Sequence, residues 1–180
     1  MKLRLILSLL ILALAFSLMP ASSTRADTCA ADCPPPITPC DETPDPRTPG
    51  FWKNHPDAWV RCDQSGKTPL AFINLCCDEG EVCDPKPNCV LLRKDDAIAI
   101  MNQPVAQDKT YTMVPALIAA QLNRLAGADT SCVNGVIRDA RIWTCANWGE
   151  VVLARSPEWQ YAEALYEKLD YFNNYGCPLP

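Results

Sequence analysis

His55 and Asp57 are the residues of this chain with the plainest catalytic potential. An imidazole beside a carboxylate can serve as a general base, and Lys53 and Ser65 are close in sequence. That chemistry needs the carboxylate to hold the ring. Side chains two apart on a helix diverge by about 200°, so Asp57 is badly placed to orient His55. Beyond residue 26 the Ser residues are Ser65, Ser131 and Ser156, none in a nucleophile-elbow context. The single His excludes any centre built on two imidazoles. No P-loop, dinucleotide fingerprint or metalloprotease helix motif is present. The simpler reading makes Trp52-Lys53-Asn54-His55-Pro56, with Trp59, a helix-entry corner. Trp52 then packs in the core, Asn54 caps the helix that follows, and His55 bonds to backbone.

Two further sets of residues have the right types for binding. Exported binding modules stack sugars on flat aromatic side chains, and Trp52, Trp59, Trp143, Trp148, Trp159, Tyr161, Tyr166, Tyr171, Phe172 and Tyr175 supply such rings. Most belong in a core, where aromatic burial dominates. Trp148 and Tyr161 lie off the apolar stripes and are the exposed candidates for a protein or glycan partner. The cluster Asp78, Glu79, Glu81, Asp84 has the oxygen chemistry of a calcium site, but not the helix-loop-helix spacing. A solvated charged loop is the better reading, so no metal and no cofactor is expected.

Cysteine is the loudest signal. Eleven occur, at Cys29, Cys33, Cys40, Cys62, Cys76, Cys77, Cys83, Cys89, Cys132, Cys145 and Cys177. All follow a start in which Lys2 and Arg4 precede a mostly apolar run, Leu5 to Met19. A small, polar stretch then offers Thr24-Arg25-Ala26 or Ala21-Ser22-Ser23 for processing. That is the layout of a secretory leader. The run falls short of the roughly 20 residues that span a bilayer, and Pro20 ends it. No membrane span is expected after processing. In an exported chain this cysteine density reads as a disulfide framework rather than thiolate metal ligation. An odd count leaves one sulfur unpaired, as a free thiol or as a link between two chains. The whole 180-residue chain carries a formal charge of −5. Without residues 1–26 it has 13 basic against 21 acidic residues, a balance that repels nucleic acid.

The elements that must position these residues read as helices. Residues 27–49 form a Pro/Cys-rich arm with seven Pro and three Cys, too proline-dense for a helix. Thr48-Pro49-Gly50 reads as a turn, and a helix follows from Asn54 with His55-Pro56-Asp57 as its first turn. Residues 62–89 read as an irregular, cystine-stapled insertion, in which adjacent Cys76 and Cys77 must pair with different partners. Further helices are expected from Asp95 to about Asn102, from near 108–112 to Leu125 before Gly127, from Cys132 to Trp143, and from Ser156-Pro157-Glu158 to about Asn173 before Gly176. Val114, Leu117, Ile118, Gln121, Leu122 and Leu125 make one buried face. A helix over 132–143 separates Cys132 from Cys145 by about 18–20 Å, beyond the ~7 Å reach of a disulfide. With no strand-forming alternation of any length, the fold class is all-α: a bundle of about five helices over 50–180, stapled by disulfides.

The stretch Thr48 to Trp59, TPGFWKNHPDAW, resembles a signature of bacterial exported and surface proteins, TxGxWKNHPxxW. Ile98 to Val105 looks like that family's helix ending in leucine-asparagine-x-proline. Ala116 to Asp129, ALIAAQLNRLAGAD, looks like its most regular helix, and Leu169 to Cys177 like its closing leucine-aspartate-x-tyrosine-asparagine-asparagine segment with a terminal Cys. The likeness covers about 48–62 and 90–177; residues 62–89 replace a much shorter connection. Cys40 and Cys177 look like the two cysteines the family tends to keep, which implies a bridge between them. The family brings architecture and export but no settled reaction.

These observations point to a protein secreted, or held at the cell surface or in the periplasm, with a structural or binding role rather than an enzymatic one. A small hydrolase using His55 is one alternative; an effector or inhibitor acting through the 62–89 loop is the other. Intact mass of the exported protein, before and after reduction with alkylation, checks the covalent part. The expected result is loss of the leader, oxidised cysteine pairs, and either one alkylatable thiol or the mass of a linked dimer. A fully reduced set of eleven thiols would contradict the framework.

Overall fold

A hydroxyl followed by proline opens a helix at both ends of the described chain. Thr48 Oγ1 accepts the Phe51 N–H at 3.2 Å, and Ser156 Oγ accepts the Trp159 N–H at 3.3 Å. In each case Pro takes the next position, where its missing N–H would have no partner. The structure, a computed structural model, describes residues 43–63, 66–75, 90–105 and 107–180. Residues 1–26, expected as a leader, residues 27–42 with Cys29, Cys33 and Cys40, and residues 76–89 with their four cysteines and acidic cluster lie outside the described residues.

In chain order the elements are α1 (Pro49–Asn54), a 3₁₀ turn (Pro56–Ala58), β1 (Val60–Asp63), β2 (Gly66–Pro69), β3 (Phe72–Asn74), β4 (Leu91–Arg93), α2 (Lys94–Met101), α3 (Thr110–Leu125), α4 (Asn134–Ala146) and α5 (Pro157–Tyr175). The all-α expectation is therefore wrong: the fold is mixed, helix-dominated, with two small antiparallel sheets. β1 pairs with β2 as a tight hairpin in the register Val60↔Pro69 to Asp63↔Gly66. β3 pairs with β4 through Ile73↔Leu92, across the stretch expected to be wholly irregular. These strands are three or four residues long. One residue of β3 (Ile73) and one of β4 (Leu92) is buried, and every residue of β2 is exposed. Runs that short leave no alternation to detect. Pairing over such separations is a tertiary choice.

The start of the bundle also differs. The expected turn at Thr48-Pro49-Gly50 is the N-terminus of α1, with Thr48 as its cap. Asn54 is not a cap; it ends α1, its Nδ2 donating to Gly50 O at 2.9 Å. Thr-Pro-Gly suits a turn and a helix start equally, and the aromatic pair Phe51-Trp52 decides for the helix by packing. The four later helices lie within a few residues of their expected positions.

α3 is the axle. It packs against α1, α2, α4, α5 and β1, and it is buried nearly all round instead of along one face. Ala116, Ala119 and Ala120 complete the circumference. Alanine adds little to an apolar stripe, yet it lets neighbouring backbones approach closely, which periodicity does not register. Around α3 lie Trp52, Trp59, Trp143, Trp159, Leu169 and Phe172, all buried.

Among the polar residues inside this apolar surround, Asn123 joins the most parts of the chain. Asn123, 1% exposed, uses its whole amide. Oδ1 accepts from Arg47 N at 2.7 Å and Trp52 Nε1 at 3.0 Å. Nδ2 donates to Arg47 O and to Asn173 Oδ1, both at 2.9 Å. Asn173, fully buried, passes its own Nδ2 to Ala116 O at 2.9 Å, and Trp59 Nε1 donates to Trp52 O at 2.9 Å. A buried amide with every donor and acceptor matched costs little to desolvate and fixes its partners in place.

The other staple is covalent. Cys132, just before α4, is bonded to Cys177, with Cα atoms 5.8 Å apart. The bridge inferred from the family resemblance, Cys40 to Cys177, is thus overturned. The chain turns back at Gly176, whose φ of +77° follows the end of α5, and this carries Cys177 to the loop between α3 and α4. In that loop Asp129 accepts the Ser131 N–H, which holds its carboxyl below the usual aspartate range. Cys132 precedes α4 and Cys145 lies in its last turn, and the two do not join each other, as helix length requires.

Replacing Asn123 by Ala strands Trp52 Nε1, Arg47 N–H and Asn173 Oδ1 in a dry interior. Urea unfolding is expected to show a loss of about 3–5 kcal/mol. Trp52→Phe, which removes one donor and little volume, is expected to cost about 1–2 kcal/mol. Equal effects from the two variants would remove Asn123 from its central position.

Candidate functional site

The WKNHP corner is built on Phe51. Its carbonyl accepts the His55 backbone N–H at 3.0 Å and faces His55 Nδ1 at 2.9 Å. A carbonyl only accepts, so Nδ1 is the donor in this contact. The two rings stack, with centroids 4.3 Å apart and planes 17° from parallel. Arg47 Cζ lies 5.3 Å from the Phe51 centroid, and the Trp52 ring meets Phe51 edge-on at 5.2 Å. Lys94 Nζ, from the start of α2, donates to Pro56 O at 3.1 Å and ties the corner to the next layer. His55 is thus bonded to backbone and Trp52 is buried, while the cap expected at Asn54 falls to Thr48.

A groove of about 390 Å³ lies beside this corner. Its floor is Phe51, Trp52, Ala58, Val60, Ala126 and Ala128, with Asn123 at the base. The polar atoms reachable there, the Trp52 indole N–H and the Asn123 amide, are already spent on each other and on Arg47 and Asn173. The floor therefore acts as an apolar surface. Charge appears only around it: Asp45 and Arg47 before α1, Asp57 in the 3₁₀ turn, and Lys67 on β2. All four are exposed. Volume, shape and lining match a site that grips an apolar group and orients it by a few polar ones.

The structure separates the two catalytic candidates. Asp57 lines the groove and His55 does not, and no ion pair joins them among the described residues. Lys53 is half-buried on α1 and Pro56 is exposed. Of the aromatic candidates, Trp148 lies in the loop between α4 and α5, 39% exposed, and Tyr161 lies on α5, 66% exposed. Neither lines the groove. Among the described residues no group of three or more His, Cys, Asp or Glu side chains is arranged to hold a metal ion.

Sequence reasoning missed Arg47, Lys67, Asn123 and the groove itself. The available signal was Asn123 and Asn173 in apolar helical stretches, where an amide must be either exposed or fully matched. Comparison of the chain with protein-family models, with curated proteins and with solved structures finds no match.

The corner's geometry gives a measurable coupling. His55→Ala removes an exposed ring that bonds and stacks locally, so stability is expected to fall by only about 0.5–1 kcal/mol. Phe51→Ala is expected to cost more, since that ring carries His55, Arg47 and the edge of Trp52. A double-mutant cycle between the two is expected to give about 0.5–1 kcal/mol of coupling. A folded, fully stable His55→Ala protein with zero coupling to Phe51 would deny the corner its structural role.

Proposed function

We propose that this chain is an exported, disulfide-stabilised binding protein that works outside the cytoplasm, and that its contact surface is the groove beside the WKNHP corner. Support for export comes from the basic, apolar and small-residue order of Met1 to Ala26 and from eleven cysteines downstream of it. The Cys132–Cys177 bond suits the same compartment. No helix among the described residues is long and apolar enough to cross a membrane.

One observation carries the binding role. The side-chain polar atoms of the groove's floor, on Trp52 and Asn123, are consumed by the Asn123 network, while charges with no ion pair among the described residues stand around its edge. A surface of that kind holds a partner by shape and dispersion and selects it by charge. His55, the side chain best suited to proton transfer, faces the Phe51 carbonyl and is not part of the groove wall.

N-acetyl-phenylalaninamide, an uncharged probe with one large ring, tests this reading. In a ¹⁵N spectrum of the secreted, oxidised protein, the Trp52 indole N–H and the amides of Phe51 and Ala58 are expected to shift and saturate together. Shifts scattered over the surface, or none at all, would overturn the binding surface. Recovery of the chain from the cytoplasm with its leader intact and its cysteines reduced would overturn export.

A further inference from the structure

We propose that the groove receives a segment of polypeptide carrying no net charge, in which one bulky apolar side chain stands between an acidic and a basic residue. This rests on the binding reading above and adds the chemistry of the partner.

The argument begins with charges that have not neutralised each other. Asp45, Arg47, Asp57 and Lys67 surround one groove, two of each sign, yet the ion pair found among the described residues is Arg138–Asp139, elsewhere on α4. The Arg47 guanidinium lies over the Phe51 ring, and no described hydrogen bond occupies it. Its fork is therefore presented at the border of the apolar floor, where it is weakly hydrated and free to take a carboxylate in a bidentate pair.

Net charge sharpens the choice of partner. Without residues 1–26 the chain has 13 basic against 21 acidic residues, a charge of −8, so an anionic ligand is repelled on approach and a cationic one is attracted without regard to the groove. Among the described residues the groove's rim sums to zero. It favours a partner that brings both signs at a fixed spacing around an apolar centre, which is what three consecutive residues of a peptide provide. A space of about 390 Å³ suits one large side chain with its flanking backbone, and is small for paired lipid tails. Uncharged sugars would leave all four rim charges unused.

Blocked tripeptides provide the test, read by the same spectrum of the secreted protein. Acetyl-Lys-Phe-Glu-amide and acetyl-Glu-Phe-Lys-amide present the two orders of charge. At least one is expected to bind about five- to twentyfold more tightly than acetyl-Ser-Phe-Ser-amide, two exposed charge contacts each giving about two- to fivefold. That advantage is expected to vanish in 1 M salt, where screening falls to about 3 Å. Lys67→Gln and Asp57→Asn are each expected to weaken the mixed-charge peptide by about two- to fivefold and to leave acetyl-Ser-Phe-Ser-amide unchanged. Equal binding of mixed and neutral peptides would overturn this proposal while leaving the apolar groove standing. So would tighter binding of acetyl-Lys-Phe-Lys-amide, or capture of phosphatidylcholine vesicles in place of peptides. Failure of every probe, N-acetyl-phenylalaninamide included, would reject the groove itself.

Discussion

The amide of Asn123 is the constraint on which the rest of the structure depends. It lies in the helix that every larger element packs against, and it reaches three separate parts of the chain at once. Its oxygen takes the Arg47 N–H and the Trp52 indole; its nitrogen serves Arg47 O and Asn173. Only a carboxamide offers two donors and two acceptor sites on so short a stem. Aspartate lacks the donors and would bring a charge into a dry interior. Glutamine would move the same atoms by one methylene, which close packing does not absorb easily. The residue thus positions the chain entering α1, α1 itself and the end of α5 relative to α3.

What the network fixes, the groove inherits. Ala126 and Ala128 follow Asn123 by three and five residues, Trp52 is bonded to it, and Arg47 is held by both its N–H and its carbonyl. The wall positions of the groove are therefore set by hydrogen bonds inside the fold. The Arg47 side chain is left over for the rim because its backbone alone satisfies the network. Structural and surface roles are divided within single residues, and the same division holds at Trp52, whose N–H is spent inward while its ring forms floor.

Much of the helical architecture was legible in the sequence, since caps, prolines and glycines act locally. Ser156-Pro157, the stop before Gly176 and the acidic first turn at Asp95 and Asp96 each work through adjacent backbone, and the chain records them directly. The two sheets were not legible. Their pairings join Ile73 to Leu92 and Val60 to Pro69 through strands too short for a pattern. The burial of Trp52 and the backbone bond of His55 were readable from residue type, but the cap, Thr48, was masked because Thr-Pro-Gly also describes a turn. Three separate stretches of the chain, around Trp52, Asn123 and Asn173, meet in one network. That convergence is a fact of tertiary structure which no spacing along the chain reveals. The Cys132–Cys177 bond was equally out of reach, because cysteine positions do not state their connectivity.

The network and the disulfide act at the same end of the bundle, and they act differently. Closing the Cys132–Cys177 loop, with its separation of 45 residues, removes conformations from the unfolded chain. In the chain-entropy account that is about 4 kcal/mol. Such a bond raises the stability of whatever folded state is compatible with it, and it selects weakly among native geometries. The Asn123 bonds do the reverse. Their net contribution is modest because water would serve the same groups in the unfolded chain, but they penalise sharply any arrangement in which one partner shifts. The Cys132–Cys177 bridge therefore adds to the persistence of the fold, and the shape of the groove depends on the Asn123 amide. Damage to stability and damage to the shape of the groove then arise from different residues.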